Sequence, residues 1–291
     1  MPTGLWLALT EKTEKPPKGR KKARKGGEKA TEAKDLALED LLELVCDLLA
    51  GVRQTVLDPG FELDVETKSN RNDLVTAVDK RIEAYISEEL VAATGYPLLG
   101  EEGHSVSSFA GRVWVLDPID GTMNYVTTHR DYAISLALCE DGRPVLGVVV
   151  DVVAGLTYTA IAGQGAYCDG QPLARVNETR GRREVVIITD IKEIVALPRL
   201  TRCLVESRGH RRYGSAALEC VEVAASRAGA FVHMWVSPWD IAAAYLICVE
   251  SGVTFTRLDG TPLDVRYPGS VLVGWPQAHT ELLSALMRQV E

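Results

Sequence analysis

The segment Trp114-Val115-Leu116-Asp117-Pro118-Ile119-Asp120-Gly121-Thr122 couples an apolar run to a dense group of oxygen-bearing residues. Val113–Leu116 predicts a short buried strand that delivers Asp117 at its end. Pro118 has no N–H and disfavours helix at the residue before it, so the chain is expected to leave the sheet in an extended turn. Asp120 follows three residues later, where both carboxylates can face one point, and the Ile119 carbonyl can offer a third oxygen. Gly121 lets backbone approach a ligand closely. Thr122 adds a hydroxyl, and a helix starting here would turn free N–H groups toward a phosphate. Two close carboxylates repel each other unless cations sit between them. Hard oxygen donors without Cys or His favour magnesium.

Outward from this segment the chain alternates blocks of strands and helices. Leu38, Leu41, Leu42, Val45, Leu48, Leu49 and Val52 recur at helical spacing, and Asp58-Pro59-Gly60 stops the run. A second helix is expected from Ala77 to Leu90. Ala133–Leu138, Val145–Val152, Leu156–Ile161 and Gly165–Tyr167 read as strands, with Asp141-Gly142 and Asp169-Gly170 as hairpin turns. Further strands are expected at Val185–Thr189, Val253–Arg257 and Val271–Gly274, and helices at Ser215–Ala228, Pro238–Glu250 and Thr280–Gln289. Runs of strands with helices packed on them indicate an α+β layered fold, not a doubly wound βαβ sheet.

Four other stretches can join the same chemistry. Gly100-Glu101-Glu102-Gly103 is either an exposed acidic loop or the source of Glu101 as a further cation ligand or water-polarising group. Ser237-Pro238-Trp239-Asp240 has the form of a capped helix start, with Ser at N-cap and Pro at N1. Such a first turn would hold Asp240 rigidly, and the carboxylate can aim at the same cations. Asn72–Lys80 places Asp73 just before a helix. It is either a plain helix start with Asp79 and Lys80 exposed, or it gives Asp73 to a metal-held water, directly or through Thr122. Gly214-Ser215-Ala216-Ala217 opens another helix, either as an N-cap or as backbone N–H groups facing a phosphate or hydroxyls. Lys68 could meet an anion. Gly163-x-Gly165 is no dinucleotide fingerprint, because Cys168 stands where the third glycine belongs. There is no G-x-S-x-G, no P-loop, and no ligand spacing among the five histidines.

The 291 residues are 46% hydrophobic and 25% charged, enough to bury a real core. The net charge of -8 is uneven, +6 within residues 1–34 and -14 beyond them. The body is therefore no general polyanion binder, and any weak nucleic-acid contact would fall to the basic tail. Residues 1–34 are expected to be a solvated extension and 35–291 the folded domain, with subdomains dividing near residue 180. No apolar run approaches the roughly 20 residues needed to span a bilayer. Leu5–Leu9 is too short for a signal-peptide core, and the six cysteines are scattered without a C-x-x-C pair. Free thiols and a cytoplasmic setting are expected.

These strings resemble the inositol monophosphatase family of the magnesium-dependent, lithium-sensitive phosphatase superfamily. The matches are Asp73-Leu-Val-Thr76, Gly100-Glu101-Glu102, Asp117-Pro-Ile-Asp-Gly-Thr122, Gly165-Ala-Tyr-Cys-Asp-Gly170, Gly214-Ser-Ala216 and Trp239-Asp240, in the family's order across residues 35–291. The resemblance implies a layered α/β/α/β/α sandwich with two mainly antiparallel sheets, two to three Mg2+ per site, and a homodimer. It implies that Glu101, Asp117 and the Ile119 carbonyl hold one ion and that Asp117, Asp120 and Asp240 hold a second. Glu101 would border a weaker third. Gly121 and Thr122 would meet the phosphate, and Asp73 with Thr122 would orient the attacking water. Substrate contacts are further expected from Asp120, Ser215, Ala216 and Asp240. One position departs: the animal enzymes have a glutamate seven residues before the Trp-Asp aspartate, and here it is His233. The implied activity is hydrolysis of inositol 1-phosphate or a small polyol or sugar phosphate. Fructose-1,6-bisphosphatase, 3'-phosphoadenosine 5'-phosphate phosphatase, NADP phosphatase and histidinol phosphatase are alternatives on the same fold. A metal-binding regulatory protein is the alternative without turnover.

Overall fold

In the computed structural model, residues 36–58, 65–67 and 74–287 are described. Asp73, Lys68 and the basic tail lie outside them. Helix α1 (Leu38–Leu57) buries Leu41, Val45, Leu49, Val52 and Val56, one apolar stripe at helical spacing. After the short antiparallel pair β1 (Val65–Thr67) and β2 (Leu74–Thr76) comes α2 (Ala77–Thr94). Both helices lie on one face of a seven-stranded sheet, β3 (Leu98–Gly100) to β9 (Gln171–Pro172), whose strands follow in sequence order. Its members are β4 (Arg112–Asp120), β5 (Ala133–Glu140), β6 (Arg143–Asp151), β7 (Leu156–Ile161) and β8 (Ala166–Cys168). Trp114, Leu116, Ile134, Leu136 and Val148 meet α1 and α2. Val115, Ala137, Val149 and Tyr158 belong to the core on the other side. Burial on both faces explains why these strands read as apolar runs without alternation. The expected hairpin turns form, with Asp141, Gly142, Asp169 and Gly170 all at positive φ.

The short helix α3 (Thr122–Thr127) leads from β4 back to β5. The second sheet has the order β11-β10-β12-β14-β13. It is made of β10 (Val186–Thr189), β11 (Gly209–Arg211), β12 (Ala230–Val236), β13 (Thr254–Thr256) and β14 (Gly269–Gly274). The first sheet is antiparallel except at β3–β4, but the second is evenly mixed, because β10 runs parallel to both β11 and β12. The reason is connectivity. Helices α4 (Ile191–Ala196) and α5 (Pro198–Glu206) carry the chain from β10 to β11, and α6 (Ala216–Ala224) carries it to β12. Such crossovers bring successive strands back in the same direction. Central strand β12 and helices α4 and α5 were not expected from the sequence. Helix α7 (Pro238–Glu250) packs with α6 between the sheets, and α8 (Pro276–Met287) starts four residues earlier than the spacing suggests, at a proline. The layered α+β sandwich is thus as expected, with one core cluster reaching from Val115 on the first sheet to Val273 on the second. All six cysteines are free thiols. Among the described residues no helix is long and apolar enough to cross a membrane.

Helix α7 is seated on the first sheet through Gly147. A Cβ there would lie 2.7 Å from the Ala243 carbonyl oxygen. Gly147→Val should therefore overpack the helix–sheet contact and cost about 1–3 kcal/mol. Gly51, inside α1 with nothing within 4 Å of its would-be Cβ, should instead gain up to about 1 kcal/mol as Gly51→Ala. Thermal unfolding of the two variants checks both signs.

Candidate active site

Asp117 and Asp120 are three residues apart, which in a regular strand would place them on opposite faces. The register breaks between them: Asp117 pairs with Ser135, whereas Asp120 pairs with Ala133. Three steps on β4 thus match two on β5, and the extra residue turns both carboxylates to one side. Pairing continues to Asp120, so the chain does not leave the sheet at Pro118 as expected. The Ile119 N–H donates to Asp117 Oδ1 at 3.0 Å. Gly121 then turns the chain at φ 95°, with the Gly214 and Asp131 carbonyls 3.2 and 3.3 Å from where a Cβ would stand. Asn124 fastens this corner, donating to the carbonyls of Asp131 and Tyr213, each at 2.7 Å.

Asp240 arrives from the first turn of α7, where its Oδ2 accepts the Ser237 N–H at 2.7 Å. The Ser135 hydroxyl donates to the Trp239 carbonyl at 3.1 Å and ties that turn to β5. One carboxylate oxygen from each of Asp117, Asp120 and Asp240 lies within 4.8 Å of the others. Together with Glu101, Ile119, Gly121 and Thr122 these aspartates line a cavity of about 530 Å3. An adjoining recess of about 180 Å3 shares Asp120, Gly214 and Asp240 and adds Ala216, Glu219 and His233.

The electrostatics follow from burial. Desolvation, then the charges of Glu101, Asp120 and Asp240, hold Asp117 well above the ordinary carboxylate range. Asp120 is pushed up to about 6, again by desolvation first, against the Ser215 hydroxyl and the N–H groups of Ala217 and Ala216. Glu219 is pushed up to about 7 by desolvation. These buried acids crowd together with hard oxygens only, the donor set that suits Mg2+. The site fits such an ion on its own chemistry.

The sequence-derived residues divide as follows. Glu101, Asp117, Ile119, Asp120, Gly121, Thr122 and Asp240 converge on the cavity. Ala216 and His233 line the recess. Ser215 is buried. Its hydroxyl donates to Asp120 Oδ2 at 2.7 Å and accepts from the Leu218 N–H, so it caps α6 and supports Asp120. The Ala217 N–H also goes to Asp120 Oδ2, at 2.6 Å. The anion met by the start of α6 is therefore the protein's own carboxylate. Asp73 lies outside the described residues.

Four acids were not singled out from the sequence. Asp79, read there as exposed, is 1% accessible and accepts from the Thr122 hydroxyl at 3.1 Å. The signal was available, since Asp79 and Glu83 stand at i and i+4 in phase with buried Ile86 and Leu90. Glu219 accepts the N–H groups of Tyr213 and Gly214 at 2.8 and 2.9 Å and so shapes the Gly214 corner. Glu193 is buried beneath His233, its Oε1 3.3 Å from His233 Nδ1. Burial lowers the His233 pKa, opposed by Glu193 and Asp190. Asp190 pairs with Arg212 at the cavity wall.

Fold and site together define a phosphoric monoester hydrolase. The chain belongs to the inositol monophosphatase family, whose profile matches residues 37–291. It is 40% identical over 228 residues to the inositol-1-monophosphatase of Bacillus subtilis (strain 168), a stretch covering 75% of this chain and 84% of the relative. Among solved structures, staphylococcal IMPase-I complexed with products matches at a TM-score of 0.81 and 29% identity, covering 87% of this chain and 97% of that one. An IMPase/NADP phosphatase complexed with Mg2+ and phosphate matches at 0.81 and 28%, with the same coverage.

Raised acid pKa values fix a sign for stability. A carboxyl that holds its proton more tightly when folded stabilises the fold at low pH, and that stability is lost as pH rises through the folded value. For Asp120 and Glu219 the window runs from about 4, the ordinary value, up to about 6 and about 7. Acids shifted the other way, such as Glu206 at about 2, act below it. Buried His279, pushed down to about 4, acts with the opposite sign up to about 6.5, so the melting temperature in EDTA should fall between pH 6.5 and 8 by a few degrees, and Mg2+ should restore it at pH 8. Asp117→Asn should melt higher than the wild type in EDTA at pH 8, gain nothing from Mg2+, and lose catalysis. A metal-free melting temperature that stays flat across this range would contradict the assignment.

Proposed function

We propose that the chain hydrolyses inositol 1-phosphate, or a polyol phosphate of similar size, by direct in-line attack of water with two to three Mg2+ per site. The observation that carries this reading is the convergence of Asp117, Asp120 and Asp240 from two separate elements on one cavity. The Bacillus relative named for inositol 1-phosphate and the related structure holding Mg2+ and phosphate support it. When bound, Mg2+ would screen the charge of a dianionic ester, acidify water and stabilise the leaving alkoxide.

The chain's own residues divide the remaining work. Glu101, Asp117 and the Ile119 carbonyl would hold one ion, Asp117, Asp120 and Asp240 a second, with Glu101 bordering the third. Gly121 and Thr122 would receive the phosphate. The Thr122 hydroxyl stands 3.1 Å from both Asp79 Oδ1 and the Ile119 carbonyl, and its single proton serves one at a time. Donation to Asp79 leaves the Ile119 carbonyl for a cation and the Thr122 oxygen to accept from, and so orient, a water. Asp73 is assigned with Thr122 to the same task. His233 and Ala216 would form the leaving-group wall in the recess.

A second reading rests on a different observation. Lys192 and Arg212 line the cavity. They favour a substrate with a further anionic group, such as fructose 1,6-bisphosphate or NADP.

Phosphate release from inositol 1-phosphate, fructose 1,6-bisphosphate, 3'-phosphoadenosine 5'-phosphate, NADP and histidinol phosphate, with and without Mg2+ and Li+, separates these readings. Inositol 1-phosphate should give the highest kcat/KM, strictly with Mg2+ and inhibited by Li+. No Mg2+-dependent release from any ester, or a trapped phosphoenzyme, would sink the proposal. His233→Glu should raise the preference for inositol 1-phosphate over fructose 1,6-bisphosphate by about tenfold, the worth of one hydrogen bond to a charged group.

A further inference from the structure

Glu83, on the second turn of α2, is 1% accessible and takes no part in the site described above. Its carboxylate is filled by the loop that carries Glu101. Oε2 accepts the Glu102 N–H at 2.6 Å. Oε1 accepts the His104 N–H at 3.1 Å and lies 2.7 Å from His104 Nδ1. The loop also closes on itself, with the Gly100 N–H donating to the His104 carbonyl at 2.9 Å. A Cβ at Gly100 would fall 2.4 Å from Glu83 Cδ, so Gly100 is what admits the carboxylate.

We propose that Glu83 is a positioning residue for Glu101, holding the loop so that Glu101 stays within reach of the aspartate cluster and completes the divalent-cation site. Glu101 needs such a hold. It lines the same cavity as the aspartates but is not one of the three whose oxygens cluster within 4.8 Å. Its charge opposes theirs at Asp117 and Asp120, so in the absence of a cation electrostatics push it away. Its carrier is a turn with glycine at residues 100 and 103, which α2 restrains through Glu83. Glu83 grips the residue after Glu101 and fits against the residue before it. A buried carboxylate without donors is costly, and among the described residues the donors to Glu83 come from the loop. Burial of Glu83 and the loop's conformation therefore require each other. His104 adds an arm from a half-exposed side chain.

This inference rests on the magnesium reading above, and one experiment separates the two. Mg2+ binding to the full-length chain is measured by calorimetry, alongside phosphate release, for the wild type, Glu83→Gln, His104→Ala, Glu101→Gln and the Glu83→Gln/Glu101→Gln double variant. Glu83→Gln should weaken Mg2+ binding by about 10- to 100-fold, the usual loss when a support behind a ligand is removed, with kcat regained at high Mg2+. The double variant should bind no worse than Glu101→Gln, because Glu83 acts only through that residue. His104→Ala should weaken binding by roughly threefold, as one lost hydrogen bond would. Unchanged Mg2+ affinity in Glu83→Gln, even with a lower melting temperature, or losses that add in the double variant, would overturn the proposal. If Glu83→Gln does not fold, unchanged affinity in His104→Ala overturns it. A wild-type chain that takes up no Mg2+ would instead refute the magnesium reading.

Discussion

Repulsion among buried acids is the constraint around which the molecule is arranged. Carboxylates this close would separate, or stay protonated, unless something held them. The fold meets this by fixing each one locally. A register break in β4 aims Asp117 and Asp120 together. The Ile119 N–H, the Ser215 hydroxyl and the Ala217 N–H hold those two in place. The Ser237 N–H holds Asp240, and the turn that carries it is tied to β5 by Ser135. Most of these donors are backbone groups within three residues of a bend or helix start, where N–H groups lack partners in regular structure. The cluster is thus held by the protein's own donors, the kind of support a tight divalent site requires.

The acid cluster and the recess beside it draw on different layers. The clustered aspartates come from the first sheet and from the start of α7. The second sheet contributes Asp190, Arg212 and His233 to the recess, the first two just past the ends of β10 and β11 and the third within β12. Asp240 and the Gly214 corner stand where the two meet. His233, where the animal enzymes are expected to carry a glutamate, belongs to that second sheet. Glu193 is buried behind His233, with its Oε1 3.3 Å from Nδ1.

What could be read from the sequence was what local chemistry dictates. The Asp117–Thr122 string, the capped start of α7 and the two Asp-Gly hairpins each carry their instruction within a few residues. Strand β12 was not legible, because Val232-His-Met-Trp235 mixes polar and apolar groups without a strand's alternation and owes its place to neighbours on both sides. Helices α4 and α5 are short and divided by Pro198, and the stripe of Leu200, Cys203 and Leu204 on α5 spans barely two turns. Helix α6 stops at Ala224 rather than Ala228 because Ser226 adopts φ 62°, which nothing in its side chain announces. Asp79 and Glu83 were missed for a common reason. A charged side chain is by default solvated, and the donors that make its burial tolerable lie on distant segments.

Those buried acids also explain how the two halves of the site keep their distance. Asp79 and Glu83 are one turn apart on α2, about 6 Å along its axis. The first accepts from Thr122 and the second from the Glu101 loop. The separation between the hydroxyl assigned to the water and the outermost acid is thus set by a helix pitch. A helix is stiff, and its stretch from Val78 to Leu90 is anchored against the first sheet by Ile82 and Ile86. That packing, beneath both contacts, therefore fixes where the Glu101 loop stands relative to Thr122.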